Sequence, residues 1–239
     1  MLTEDVYTEH SVLSIPASPS GAPPCLPRNL VVVKNWGDID LLADPAKNIL
    51  LYPWIPSPSL RNTIAVARFD ALPRLTLTLP KGDIARAATF ARTELSRQLL
   101  TELAPALAAL ASIAPGRKLR LSLCKTTEQS CPLFHTDRVP VRLLCTLRGP
   151  GTEWLDDAQV NRKALGRGDN RKIAGPEATV YAAQPFQIVL LKGDAGFGTN
   201  SPGIVHRSPA VPASLDGRWY LRVDALSLDR SALRTWSRL

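Results

Sequence analysis

Histidine is scarce in this chain, with three residues among 239: His10, His135 and His206. Cysteine is nearly as rare. Cys25, Cys124, Cys131 and Cys145 are too few to staple a chain of this length, so a disulfide scaffold is excluded and a reduced, cytoplasmic setting is expected. No apolar run is long enough for a membrane span, which needs about 20 residues. The longest, Leu103 to Ala114, is interrupted by Pro105. The first residues, MLTEDVYTEH, are acidic where an export signal needs cations. The chain also lacks a G-x-S-x-G elbow, a Walker loop and a G-x-G-x-x-G turn. Gly193, Gly196 and Gly198 follow a strand pattern but lead into no helical one, so they suit a tight bend near a site better than a phosphate cradle.

What is present describes a folded protein. Hydrophobic residues make up 45% and charged residues 21%, enough for a sizeable core. Lys and Arg number 29 against 21 Asp and Glu, a formal charge of +8. The cations are scattered, and the densest stretch, Asn161 to Lys172 (NRKALGRGDNRK), contains Asp169 and no aromatic ring. A nucleic-acid surface wants clustered cations with stacking rings, so nucleic-acid binding is disfavoured and a solvated basic loop is expected.

Residues 1–28, rich in Pro, Ser and Gly, read as an extended arm. Residues 29–239 read as a single domain. Leu30 to Val33 and Asn48 to Tyr52 are predicted strands, with a short helix over Trp36 to Leu42 between them. Ile84, Ala88, Ala91, Leu95, Leu99, Leu103, Leu107 and Leu110 recur at helical spacing. They predict a helical buttress over 83–114, capped by Asp83, kinked or split at Pro105 and stopped by Pro115-Gly116. From Lys118 onward the period changes to two. Strands are predicted over Leu119 to Cys124, Val139 to Arg148, the segment after Gly149-Pro150-Gly151, Ala178 to Ala182, Phe186 to Leu191, Ile204 to His206 and Arg218 to Leu226. This is a mostly β chain with supporting helices, expected to close as a barrel or sandwich.

The two histidines of the folded region carry the chemistry. His135 and Asp137 form an H-x-D pair, and residues i and i+2 of an extended chain face the same side. With His206 they supply two imidazoles and a carboxylate, the facial set of non-haem Fe(II) oxygenases, which leaves metal positions open for co-substrate and O₂. A 2-oxo acid chelated there also needs a cation for its distal carboxylate, and arginine's planar fork suits it. Arg218, Tyr220 and Arg222 share one face of the strand GRWYLRVD, so Arg218 or Arg222 is the candidate; Arg207 would point the other way. Cys131 near His135 offers a softer, zinc-leaning ligand, although its C-x6-C spacing with Cys124 is not a zinc signature. Glu153 and Thr152 follow the Gly-Pro-Gly turn, with Glu153 either facing the cavity or solvent. Arg142 and Arg148 lie in the β pattern as anion contacts or sheet-edge caps, and Asn200 and Ser201 precede the distal histidine.

The segment CPLFHTDRVPVRLLCTLRGPGTEWL, with VHRSP and GRWYLRVD downstream, resembles the bacterial family of unknown function DUF1826 over roughly residues 30–226. That resemblance implies remote similarity to the 2-oxoglutarate/Fe(II)-dependent dioxygenases and a double-stranded β-helix (jelly-roll, cupin-like) core, with His135, Asp137 and His206 matching the metal triad. The family's association with zinc-responsive regulation and metallochaperone-type GTPases implies metal homeostasis as a setting. The expected function is an Fe(II)-dependent oxygenase with 2-oxoglutarate as co-substrate, acting on a small molecule or peptide. The alternative is a non-catalytic Zn(II)-binding protein of the same fold.

Overall fold

The computed structural model describes residues 26–114, 117–195 and 202–226. Most of the expected arm (with His10 and Cys25), the Pro115-Gly116 stop, Gly196, Gly198, Asn200 and Ser201 lie outside the described residues.

The period-two pattern becomes β4 (Leu119–Thr126), β5 (Val141–Arg148), β6 (Glu153–Leu155), β7 (Val180–Ala182), β8 (Gln187–Lys192), β9 (His206–Arg207) and β10 (Arg218–Ala225). Ahead of them come β1 (Leu30–Val32), β2 (Ile49–Pro53) and β3 (Leu75–Leu79). The strands form a seven-stranded sheet, β1-β2-β8-β5-β10-β4-β3, and a three-stranded sheet, β7-β6-β9. An isolated antiparallel bridge between His135 and His206 adds His135 to the free edge of β9. From β4 onward the chain visits large, small, large, small, small, large, small and large sheet in turn. Neighbours pair β8-β5-β10-β4 in one layer and β7-β6-β9-His135 in the other. That interleaved antiparallel order is the jelly roll, or double-stranded β-helix. The layers remain two sheets and do not join into a closed barrel, so the expected closure is met by a sandwich.

Alternation along the large sheet serves two cores at once. Leu143, Cys145, Leu147, Trp219, Leu221 and Val223 face the helices, while Leu144, Val189 and Leu191 face the small sheet with Trp154, Tyr181 and Ile204. Each fully buried aliphatic side chain stabilises the fold by roughly 1.5–3 kcal/mol. A smaller cluster of Phe134, Leu155, Ala164, Ile173 and Val205 backs the small sheet, where the basic stretch folds as short 3₁₀ turns and α4 (Asn170–Ile173).

The helical buttress is more broken than its periodicity predicts. Lys81–Phe90 is 3₁₀, and the α-helices are α2 (Glu94–Glu102) and α3 (Ala104–Ser112). Asp83 therefore caps no α-helix. The cap is Thr93, whose hydroxyl accepts from the Ser96 N–H while the Ser96 hydroxyl accepts from the Thr93 N–H. Pro105 sits in the first turn of α3, where a missing N–H is harmless, and ends α2 instead of merely bending it. Trp36–Ala43 is likewise 3₁₀. The strand β3 and the helix α1 (Pro58–Val66) are not among the predicted elements; Ser57 caps α1 and Pro58 is its first residue.

Candidate metal centre

The H-x-D segment and the distal histidine meet through their backbones first. The His135 N–H donates to the His206 carbonyl at 3.0 Å, and the His206 N–H donates to the His135 carbonyl at 2.9 Å. The imidazoles then lie side by side, ring centres 4.6 Å apart. Each ring is fixed by the carbonyl two residues before it: His135 Nδ1 lies 2.8 Å from the Leu133 oxygen and His206 Nδ1 3.1 Å from the Ile204 oxygen. A carbonyl only accepts, so both Nδ1 atoms carry the proton, and in the neutral rings both Nε2 lone pairs are free. This is the way metal-binding histidines are held.

Asp137 completes the cluster. Its Oδ2 lies 3.3 Å from His206 Nε2, its Oδ1 lies 3.9 Å from His135 Nε2, and ligand atoms from the three residues all fall within 4.8 Å of one another. Oδ2 is buried and has no hydrogen-bond donor among the described residues. A carboxylate oxygen facing an imidazole lone pair is electrostatically unfavourable until a cation joins them, so the donor set fits a divalent metal. Burial would raise the Asp137 pKa, but His206, Arg142 and His135 together hold it below the usual carboxylate value. Burial, followed by the charge of His206, lowers the pKa of His135. Both shifts favour the forms that bind metal.

Residues outside the predicted set position this cluster. Arg142 on β5 donates Nη1 to Asp137 Oδ1 and Nε to Asp224 Oδ1, so only Oδ2 of Asp137 remains open. Burial lowers the Arg142 pKa, but Asp137 and Asp224 more than offset it, giving a net rise. Of the two roles expected for Arg142, an edge cap is ruled out because β5 is an internal strand; Arg142 lines the cleft and its anionic contacts are the Asp137 and Asp224 carboxylates. Asp194, not anticipated, accepts from the Thr136 hydroxyl through Oδ2 and from the Gly203 N–H at 2.9 Å through Oδ1, joining the two ligand-bearing segments. The neighbouring Gly193 leaves no room for a side chain, since a Cβ there would sit 2.0 Å from the Val139 oxygen and 2.6 Å from that of Asp137. Asn170 of α4 accepts from the Phe134 N–H and donates to the Pro132 carbonyl, bracing the approach to His135. These partners follow from sheet register and loop packing, and a single sequence carries no signal for them.

The cleft over the cluster is lined by Ser130, Cys131, His135, Arg142, Leu144, Thr152, His206, Arg207, Ser208, Arg218, Tyr220 and Arg222. Both arginines of β10 reach it, in different states. Arg218 is 3% exposed, and its Nη2 donates to Thr146 Oγ1 at 3.2 Å and Thr152 Oγ1 at 3.0 Å. It lies over the Tyr220 ring and has no carboxylate partner among the described residues; burial lowers its pKa to about 10. Arg222 is more open and pairs with Asp224 at 3.5 Å. Glu153 is taken by Arg207 at 2.6 Å, and Arg207 also lies over Phe134. Arg148, the last residue of the internal strand β5, binds Asp216 and the Ala67 carbonyl, so it caps a strand end and not a sheet edge. Cys131 lines the cleft with a free thiol and is not part of the three-residue cluster.

Strand order and site together define a jelly-roll protein with a His-x-Asp…His cluster at one end of its sandwich. The chain belongs to the family described as "Protein of unknown function (DUF1826)", which it matches over residues 58–224. No curated protein matches it. Among solved structures it is similar to the dioxygenase for auxin oxidation 1 from Arabidopsis thaliana in a 2-oxoglutarate complex (12% identity, TM-score 0.49, covering 86% of this chain and 94% of that one). It is also similar to a putative 2OG-Fe(II) oxygenase family protein from Caulobacter crescentus (12% identity, TM-score 0.39, 82% and 86%). A third similar structure is HygX from Streptomyces hygroscopicus with iron bound (14% identity, TM-score 0.37, 76% and 83%).

Proposed function

We propose that this protein is a non-haem Fe(II)- and 2-oxoglutarate-dependent oxygenase, with His135, Asp137 and His206 as metal ligands. The observation that carries this reading is Arg218: a buried guanidinium without a carboxylate partner among the described residues, in a cleft lined also by His135 and His206, whose imidazoles meet Asp137. A protein that only stores or delivers Zn(II) uses the same three ligands but has no need of that cation.

In this reading His135 and His206 supply neutral Nε2 donors, their tautomers set by Leu133 and Ile204. Asp137 supplies one anionic oxygen while Arg142 keeps the other. Arg218, with the Thr146 and Thr152 hydroxyls, binds the distal carboxylate of 2-oxoglutarate, and its planar fork orients the oxo-acid end toward the ligands. Leu144 and Trp154 keep the interior dry. Bound Fe(II) supplies O₂ activation. Overall, 2-oxoglutarate, O₂ and a substrate C–H become succinate, CO₂ and C–OH, one oxygen atom entering each oxidised product.

Anaerobic Fe(II)-loaded protein is expected to develop a visible charge-transfer absorption on adding 2-oxoglutarate, and to form succinate and CO₂ once O₂ is admitted. His135→Ala, Asp137→Ala and His206→Ala should each abolish both. Stoichiometric Zn(II) with no response to 2-oxoglutarate would overturn the oxygenase reading in favour of a metal-holding protein.

A further inference from the structure

The cleft contains more positive charge than one 2-oxo acid can neutralise. Asp137 and Asp224 balance Arg142 and Arg222, and Glu153 balances Arg207 at the rim. Arg218 has no carboxylate partner among the described residues. A divalent metal adds two charges and doubly ionised 2-oxoglutarate removes two, so one positive charge remains in a half-closed cleft where charges are weakly screened.

Arg222 is where that charge is open to a ligand. Its one ionic partner among the described residues, Asp224, lies 3.5 Å from Nε, and that carboxylate is already held by Arg142 through its other oxygen. No described residue accepts a hydrogen bond from the Arg222 guanidinium. The side chain is 35% exposed and lines the cleft near Cys131 and Ser208. Arg218 and Arg222 are four residues apart on β10, roughly 13 Å along a strand at about 3.3 Å per residue, so they form two forks and not one clamp.

We propose that Arg222 binds an oxyanion, a carboxylate or phosphate, carried by the substrate, which makes the substrate class an anionic molecule presented beside the metal. This rests on the oxygenase reading and on the assignment of Arg218 to the co-substrate.

Mn(II)-loaded protein, which holds the same ligands without turnover, tests it. Arg218→Met should weaken 2-oxoglutarate binding at least tenfold, whereas Arg222→Met should leave it within about twofold of wild type. With 2-oxoglutarate bound, inorganic phosphate (³¹P) and [¹³C]acetate serve as probes of the second site through saturable relaxation enhancement by Mn(II). The enhancement should fall at least tenfold in Arg222→Met and stay unchanged in the surface control Arg97→Met. Whichever probe binds more tightly identifies the oxyanion. Arg222→Gln substitutes if the Met variant does not fold. Equal loss of 2-oxoglutarate binding in both arginine variants would overturn the proposal, as would enhancement absent from wild type or retained in Arg222→Met. Failure of wild type to bind 2-oxoglutarate at all instead sinks the oxygenase reading, while the same probes on Mn(II) protein alone still report on Arg222.

Discussion

Arg142 decides how Asp137 presents itself. With Nη1 on Oδ1 of Asp137 and Nε on Asp224, the guanidinium fixes the carboxylate plane from behind and leaves a single oxygen toward the imidazoles. If a metal is held there, Asp137 would present it one oxygen, since using both would break the Arg142 contact. Outer partners of metal ligands typically contribute 10- to 100-fold in affinity. Arg142→Met is therefore expected to weaken Mn(II) binding by about that factor in calorimetric titration, with Asp224→Asn producing a smaller loss. Unchanged affinity in Arg142→Met would mean that Asp137 needs no such restraint. At this scale the three-residue cluster was legible and its supports were not. His135, Asp137 and His206 stood out because histidine is so rare and the i, i+2 rule is local. The Arg142–Asp224 contact depends on those two residues facing each other across β5 and β10, a register that alternation alone leaves open.

Among the elements, the helices show how far periodicity reaches. The apolar stripe from Ile84 to Leu110 does lie against the large sheet, with Ile84, Leu99, Leu103, Leu107 and Leu110 all buried. A spacing of three or four residues is shared by 3₁₀ and α geometry, however, so the start of the α-helix was hidden until the Thr93–Ser96 reciprocal cap was seen. Removing that cap with Thr93→Ala is expected to lower stability by about 1 kcal/mol, read from urea unfolding. A shift near zero would show that packing of α2 makes the cap redundant. The missed α1 has a related cause. Proline in PWIPSPS reads as a breaker, yet Pro58 stands where a helix tolerates it best, behind a serine cap tied to Glu102. The strand β3, LTLTL, alternates cleanly but is a five-residue run between Pro73 and Pro80, and its pairing with β4 is a long-range contact.

For the whole molecule, acid should be the sensitive direction. His135 and Asp137 both have folded pKa values below their ordinary 6.5 and 3.8, so the unfolded chain binds more protons as pH falls. Their contribution to stability is complete above about pH 6.5 and is lost as pH drops through the depressed folded values, His135 first and Asp137 later. Urea midpoints of metal-free protein should hold steady above about pH 7 and decline below it, and His135→Gln should flatten the first part of that decline. A midpoint that rises on acidification would contradict the depressed values. The jelly-roll order came with the family resemblance, whereas a mostly β fold was legible in outline because strands buried on both faces still alternate between two cores. Division into two sheets instead of a closed barrel was not, since pairing partners are set by long-range packing. No helix among the described residues is long and apolar enough to cross a membrane.

The paired amides of His135 and His206 also have a consequence for biosynthesis. An ion held by those residues and Asp137 would lack its third donor on an emerging polypeptide until ribosomal elongation had passed position 206. Loading would then be a step in maturation that follows synthesis of β9.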